Sequence, residues 1–555
     1  MGTAFHMVNR RLARASLIMA AGTIVSRITG FARMLLLVAV LGTALNADIF
    51  ELANSVPNSL YILVAGGVFN VVFVPQLVKA MKEHDDGGIA FTQRLITLGL
   101  VVLTVGTIAL MVAIPLIMRV VFAGTLFSEG FERQHDSALL LMTLTMPQVF
   151  FYGVFVLYGQ LLNSRERFGP MMWAPIANNL VALAVLSLYA FMFGPAQAPA
   201  NDGFSTSEAL VLGGGSTLGI VVQALVLIPY LRSIGVPLRL RFDFRGHGLG
   251  HIFTLGAWTL GLIAVNQATY FAIARMGSAA TLRGREEGVA AAGSTVYALG
   301  NLISQVPHGI ITVSVATAML PTLASLAADK KFDQFANQLS TTLRVVALFI
   351  VPLATLIACL GAPLGQFIGG LSASTENTVA IGSTITAFSL VTIGFSLHYV
   401  VLRGFYSLED TKTPFLIQTV IALINVGGAF VLTRTVEPLW VSTAMAIALG
   451  PAYLVGLTIG LFLISRRTAT LIDRNSRVFA AKVVLACLFG GVGMMSAQAG
   501  WAALSWPSES LISIFLKLVA LSLLGLVIIA GSLMLLRVKE TQQLFSLLRR
   551  RTTSA

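Results

Sequence analysis

The chain has 555 residues, of which 56% are hydrophobic and only 11% charged, and its mean hydropathy is +0.86. A soluble domain carries about 25% charged residues, so most of this chain is expected to face lipid. The net charge of +13 would suggest nucleic acid in a soluble protein, but membrane topology accounts for it and no nucleic-acid partner is needed.

Apolar stretches long enough to span about 30 Å of hydrocarbon at 1.5 Å per residue run through 15–43, 47–80, 92–122, 137–162, 171–194, 209–231 and 250–276 in the first part of the chain. They continue through 291–327, 338–362, 379–402, 414–434, 440–464, 478–501 and 511–536. That predicts an all-α polytopic membrane protein with about fourteen transmembrane helices. The runs lack the alternating period of barrel strands. The first follows Arg10, Arg11 and Arg14 as a signal peptide would, but it continues to Leu41 without a convincing cleavage site, and it reads as a retained helix. Cys359 and Cys487 lie inside apolar runs with no CxxC pair, which excludes a disulfide framework and a zinc site.

The loops alternate in Lys and Arg. One set is basic: Arg10, Arg11 and Arg14, then Lys79 and Lys82, Arg165 and Arg167, Arg239 and Arg241, Lys330 and Lys331, Arg403 and Lys412, Arg466 and Arg467, and Arg537 with Lys539. The other carries Glu129 and Glu132, Asp202 and Glu208, Glu286 and Glu287, Glu376, Glu437 and Glu509, with few cations. The positive-inside rule puts the basic set and both termini in the cytoplasm of a bacterial inner-membrane protein.

The halves repeat weakly at an offset of about 245 residues. GQLLNSRERFGP at 159–170 pairs with RGFYSLEDTKTP at 403–414, Pro57 with Pro307, and Pro75 with Pro321. The expected architecture is two six-helix lobes related by pseudo-two-fold symmetry, 1–232 and 233–465, then two C-terminal helices and a tail, 466–555. Such lobes enclose a cavity.

Charged side chains inside spans cost about 2.5 to 3.5 kcal/mol each at the bilayer centre on insertion scales, so they are functional candidates. Arg27 and Arg33 lie in the first span, and Asp48 and Glu51 open the second, three residues apart on one face. An arginine fork suits a diphosphate or a carboxylate. Asp48 balances that charge; Glu51 is a counter-ion or coupling candidate. The competing reading of Arg27 and Asp48 is a buried ion pair locking two helices. Pro57, Pro75, Pro307 and Pro321 break the helical ladder and are hinge candidates, although static kinks are common. His308 and His398 read as interhelical hydrogen-bonders, and Gly213, Gly214, Gly215 and Gly219 as close packing. No Walker, HExxH or Ser/His/Asp pattern is recognisable. A secondary transporter without a cofactor is implied, drawing on the membrane potential or a monovalent ion.

These residues carry a resemblance: SRITGFAR at 26–33, Asp48 after a short turn, VPN at 56–58, FVPQL at 73–77 and RGFYSLEDTKTP at 403–414. The chain resembles the MurJ (MviN) lipid II flippases of the MOP exporter superfamily, in particular their actinobacterial branch. The resemblance implies a V-shaped pair of six-helix lobes, a groove between helices 13 and 14 for the lipid tail, and outward flipping of undecaprenyl-diphosphate-linked peptidoglycan precursor. It implies lipid II and membrane lipids as partners, together with cell-wall synthesis proteins. Arg27, Arg33 and Asp48 match the family's motif positions. Where many members carry an Arg pair and a Glu, this chain has Tyr61, Ile62 and Gly66, and Asn301 or a neighbour stands where they have an Arg. The expected cavity is therefore less cationic than the family pattern. Alternative readings are another MOP-type exporter, for a lipid-linked oligosaccharide or a drug, and a noncatalytic scaffold for envelope synthesis.

Overall fold

The computed structural model describes residues 2–63, 88–196, 200–235, 239–243, 257–372, 377–503 and 510–542, with side chains from residue 21 onward. Among these residues every regular element is helical. In chain order the helices are α1 (Gly2–Leu41), α2 (Leu45–Tyr61), α3 (Ile89–Val112), α4 (Glu132–Ser164), α5 (Gly169–Phe193), α6 (Thr206–Ser233) and α7 (Ala257–Glu287). They continue as α8 (Ser294–Ala328), α9 (Phe332–Gly369), α10 (Thr378–Ser407), α11 (Lys412–Thr435), α12 (Pro438–Arg467), α13 (Arg474–Ala503) and α14 (Leu511–Leu535).

Twelve helices among the described residues are long and apolar enough to cross a membrane. The other two stand at the second and seventh windows. The second window continues into 64–87, beyond the described residues, and Pro75 lies there. The seventh helix extends past the window's end at 276 to Glu287. Near that end its polar residues bond the first half of the chain. Arg275 donates to the carbonyls of Arg119 and Phe122, the latter at 2.6 Å, and so caps the C-terminus of the short helix Ile114–Val121, where helical carbonyls lack partners. One turn on, the Ser278 hydroxyl accepts from the Ala123 amide at 2.9 Å.

The chain divides into two compact units, 1–282 and 283–555. Lipid tails are as apolar as leucine, so helices in a bilayer associate by close packing and interhelical hydrogen bonds. In the first unit α1 packs on α5, and α4 receives α2 and α3. Ile49, Leu52, Ala53 and Val56 meet Leu141, Met142 and Met146 in its core. Thr145 donates to the Ala53 carbonyl at 2.6 Å and Asn179 to that of Ser26 at 3.1 Å. Three of the four glycines on α6 serve close packing: a Cβ on Gly213, Gly215 or Gly219 would meet Leu144, Val185 or Asn178 at 2.9, 2.5 and 2.4 Å. Gly214 faces open space.

In the second unit α9 and α10 pack along a ridge of small residues. A Cβ on Gly361 would lie 2.0 Å from the Thr386 hydroxyl, and one on Gly365 would lie 2.5 Å from the Thr378 carbonyl. The last two helices pack on each other and on α9, through Leu356, Met494, Leu518 and Leu521. His308 bonds Ser396 at 3.2 Å. His398, which reads from sequence as another hydrogen-bonder, is 1% exposed with neither ring nitrogen bonded among the described residues, and packs near Tyr453.

The paired motifs at 159–170 and 403–414 fold alike. At the end of α4 the Arg167 amide bonds the Leu162 carbonyl across Glu166, and at the end of α10 the Asp410 amide bonds the Phe405 carbonyl across Glu409. Glu166 and Glu409 both adopt the left-handed conformation, with φ of 60° and 58°, which satisfies the last helical carbonyls in the manner of a glycine cap. The same cap closes the helices that end before Lys330 and Arg537, with φ of 57° and 51°, so it is a recurrent helix end in this chain and not specific to the repeat.

Candidate functional site

Of the four charged candidates, Arg33 and Glu51 face one cavity inside the first unit. Arg33 and Leu37 of α1, Phe50, Glu51 and Asn54 of α2, Tyr152 of α4, Asn178 of α5, and Leu212 and Ser216 of α6 line it. Its volume is about 40 Å³, room for a few waters at about 10 to 15 Å³ each. Arg33 and Glu51 act on each other electrostatically, and both act on Tyr152. A guanidinium, a carboxylate, two amides, a phenol and a serine hydroxyl therefore converge on one small polar space.

The local fold sets this convergence. α6 begins with a capping box in which the Ser205 amide donates to Glu208 at 2.8 Å and the Glu208 amide to Ser205 at 3.3 Å. Tyr189 of α5 also donates to Glu208, at 2.8 Å. Residues Leu210–Gly214 then form a wide π turn, which brings Leu212 and Ser216 to the cavity wall. Such turns are frequent at functional positions. Behind the wall, Gln148 donates to Asn54 at 3.2 Å and to Thr217 at 3.3 Å, and Thr217 donates to the Leu144 carbonyl at 2.7 Å. That chain of bonds fixes α2, α4 and α6 around the charges.

Asp48 turns elsewhere. It is 1% exposed and accepts from the Thr281 hydroxyl of α7 at 3.1 Å. Two turns on, Ser55 and Tyr270 bond at 2.5 Å. α2 therefore presents Glu51 and Asn54 to the cavity and Asp48 and Ser55 to α7. Arg27 is half-buried and does not line the cavity; it precedes Arg33 by about 9 Å along the helix axis. Pro57 lies inside α2, and Pro321 inside the second segment of α8. Pro307 ends the first segment, just before the π turn His308–Thr312. No group of three or more metal-binding side chains occurs among the described residues.

Tyr152, Asn178, Ser216 and Thr281 were not legible as site residues. Asn178 and Asn179 side by side in an apolar span were the available signal, because paired amides in hydrocarbon need partners.

The family profile described as lipid II flippase MurJ matches residues 37–516. A probable lipid II flippase MurJ of Rhizobium meliloti (strain 1021) is 27% identical over 442 residues, covering 77% of this chain and 76% of that one. Among solved structures, "Lipid II flippase MurJ, inward closed conformation" superposes with a TM-score of 0.70 at 19% identity, covering 93% of this chain and 99% of that chain. An inward-facing multidrug resistance MATE transporter of the MOP superfamily gives a TM-score of 0.63 at 14% identity, covering 80% and 98%. The two structural likenesses establish the fold, and the profile, spanning both units from α1 into α14, decides between branches that share it: the chain belongs to the lipid II flippase MurJ family.

Proposed function

We propose that this protein is a multi-pass inner-membrane transporter that moves lipid II, the undecaprenyl-diphosphate-linked peptidoglycan precursor, from the inner to the outer leaflet. The observation that carries the reading is the family match over 37–516. The polar cavity containing Arg33 and Glu51 supports it. A transporter is favoured over a catalytic enzyme because both the family and the MATE neighbour are transporters.

In this mechanism Arg27 and Arg33 hold the diphosphate, since a guanidinium pairs with two oxygens at once and stays charged. Asp48 balances that charge, and its bond to Thr281 ties the balance to the position of α7. Glu51 is the counter-ion or coupling group. The cavity holds only a few waters as it stands, so the headgroup enters as the helices part about Pro57, Pro75, Pro307 and Pro321. The polyprenyl tail remains in lipid. Transport draws on the membrane potential, about 2.3 kcal/mol per charge per 100 mV, or on a monovalent ion. The alternating loop charge supports cytoplasmic termini.

The test is growth of a bacterium depleted of its own lipid II flippase and supplied with this chain. Rescue is the expected result. Failure of the correctly inserted chain to rescue would shift the substrate to another lipid-linked molecule.

A further inference from the structure

At the end of the second unit that loop charge assigns to the cytoplasm, α9, α13 and the segment after α14 enclose a second cavity, of about 310 Å³. That is the lower edge of the size of ligand pockets. Arg344, Arg474, Lys482, Arg537 and Lys539 line it, with Glu540 as the one carboxylate among the lining residues. Glu540 is already engaged by Arg344, Nη1 to Oε1 at 3.3 Å. Asp473 acts on Arg344 but is also engaged, accepting from the Ser476 amide at 2.7 Å. Positive charge therefore remains in excess. The Arg344 Nε is buried with no hydrogen-bond partner among the described residues, and a buried donor left unmade costs about 1 to 3 kcal/mol. Among the described residues Lys482 bonds the Arg537 carbonyl alone, at a long 3.4 Å.

The backbone is shaped to bring these cations together. Arg537 takes the left-handed conformation, φ 51°, and the Val538 amide closes on the Leu533 carbonyl at 3.1 Å. The turn folds Arg537 and Lys539 back over the end of α14, toward Lys482 and Arg474 of α13. Val478 at the cavity's edge is exposed, as are Val484 and Leu485 further along α13 and Met534 and Leu535 at the end of α14.

We propose that this cavity is a binding site for the phosphate of an anionic membrane phospholipid, whose acyl chains lie along α13 and α14. Phosphate matches the site because its oxygens accept from guanidinium forks and an ammonium together. The lipid source follows from the exposed apolar residues of the two helices and from the anionic cytoplasmic leaflet. The site is separate from the Arg33 cavity and does not rest on the transport reading.

The experiment uses the full chain in neutral detergent, titrated with short-chain phosphatidylglycerol and, separately, with inorganic phosphate. Wild type is expected to bind phosphatidylglycerol saturably, and the exposed-site variant Arg474→Gln/Arg537→Gln/Lys539→Gln about tenfold or more weakly, each charge-assisted bond being worth that order. Unchanged thermal unfolding without lipid shows that this variant folds, and Arg344→Gln provides a second reading of the same site. Displacement of the lipid by inorganic phosphate would show that the phosphate alone is read; lipid binding without displacement would show that the acyl chains add to it. Phosphate binding with no phosphatidylglycerol binding would overturn the lipid source. Equal lipid binding by wild type and triple variant would overturn the site.

Discussion

Thr281 donates its hydroxyl to Asp48 at 3.1 Å, which joins the far part of α7 to the first turn of α2 beneath a fully buried carboxylate. A hydrogen bond to a charged group contributes about 1.5 to 3 kcal/mol. Thr281→Val is therefore expected to lower transport about tenfold, with Thr281→Ser restoring most of it, and Asp48→Ala to lower it further. Rescue of flippase-depleted cells at matched membrane levels measures all three. If Thr281→Val matches wild type, the bond is incidental to the function of Asp48.

Arg33 and Glu51 share one cavity, so substitution of either leaves the other's charge uncompensated. Arg33→Ala is expected to reduce rescue more than tenfold, while Arg33→Lys keeps part of it, because an ammonium supplies the charge without the planar fork. The pair Arg33→Gln with Glu51→Gln should be less impaired than the product of the single effects. Independent, multiplicative losses in that double-mutant cycle would show that the two residues do not act together.

The ridge between α9 and α10 predicts a purely structural lesion. In Gly361→Val the new side chain meets the Thr386 hydroxyl and the Gly382 carbonyl, where a Cβ would stand at 2.0 and 2.6 Å. Overpacking of this kind costs about 1 to 3 kcal/mol, so the melting temperature in detergent should fall. Gly214→Val, whose Cβ meets nothing within 4 Å, should melt as wild type does. Equal melting of the two variants would remove close approach as the reason for the ridge.

The segment after α6 supplies a pH prediction. Arg94 donates to Asp243 at 2.6 and 3.0 Å, and this bond foremost, with Arg241 nearby, holds the Asp243 carboxyl at about 2 instead of the ordinary 3.8. A carboxyl depressed on folding contributes above its unfolded pKa and loses that contribution as pH falls through the folded one. Docking of 239–243 on α3 should thus persist down to about pH 4 and be lost toward pH 2. Cleavage of the segment by an acid protease across that range reads it out, and Arg94→Gln should move the midpoint up toward 3.8. An unmoved midpoint would remove Arg94 as the cause.

Much of the fold was legible in sequence because apolar length and loop charge are strong, local signals. The windows at 171–194 and 511–536 match α5 and α14 to within two residues, and that at 338–362 lies inside the longer α9. The end of α7 was not legible because Arg285, Glu286 and Glu287 read as loop charge, whereas the helix carries them in its last turn. The site was legible only in its charges. Arg33 and Glu51 stand out against hydrocarbon, but Tyr152 and Ser216 are ordinary residues of membrane helices until the π turn at Leu210–Gly214 brings Ser216 round to the cavity. That turn carries no signal beyond a glycine run, which close packing explains equally well.

The most direct test of the account is the exposure of lipid II on the outer leaflet of flippase-depleted cells, read by an externally added enzyme that cleaves lipid II. Cells supplied with this chain should regain cleavage, and cells supplied with Arg33→Ala at the same membrane level should not. Cleavage that stays absent with the wild-type chain, or returns fully with Arg33→Ala, would contradict it.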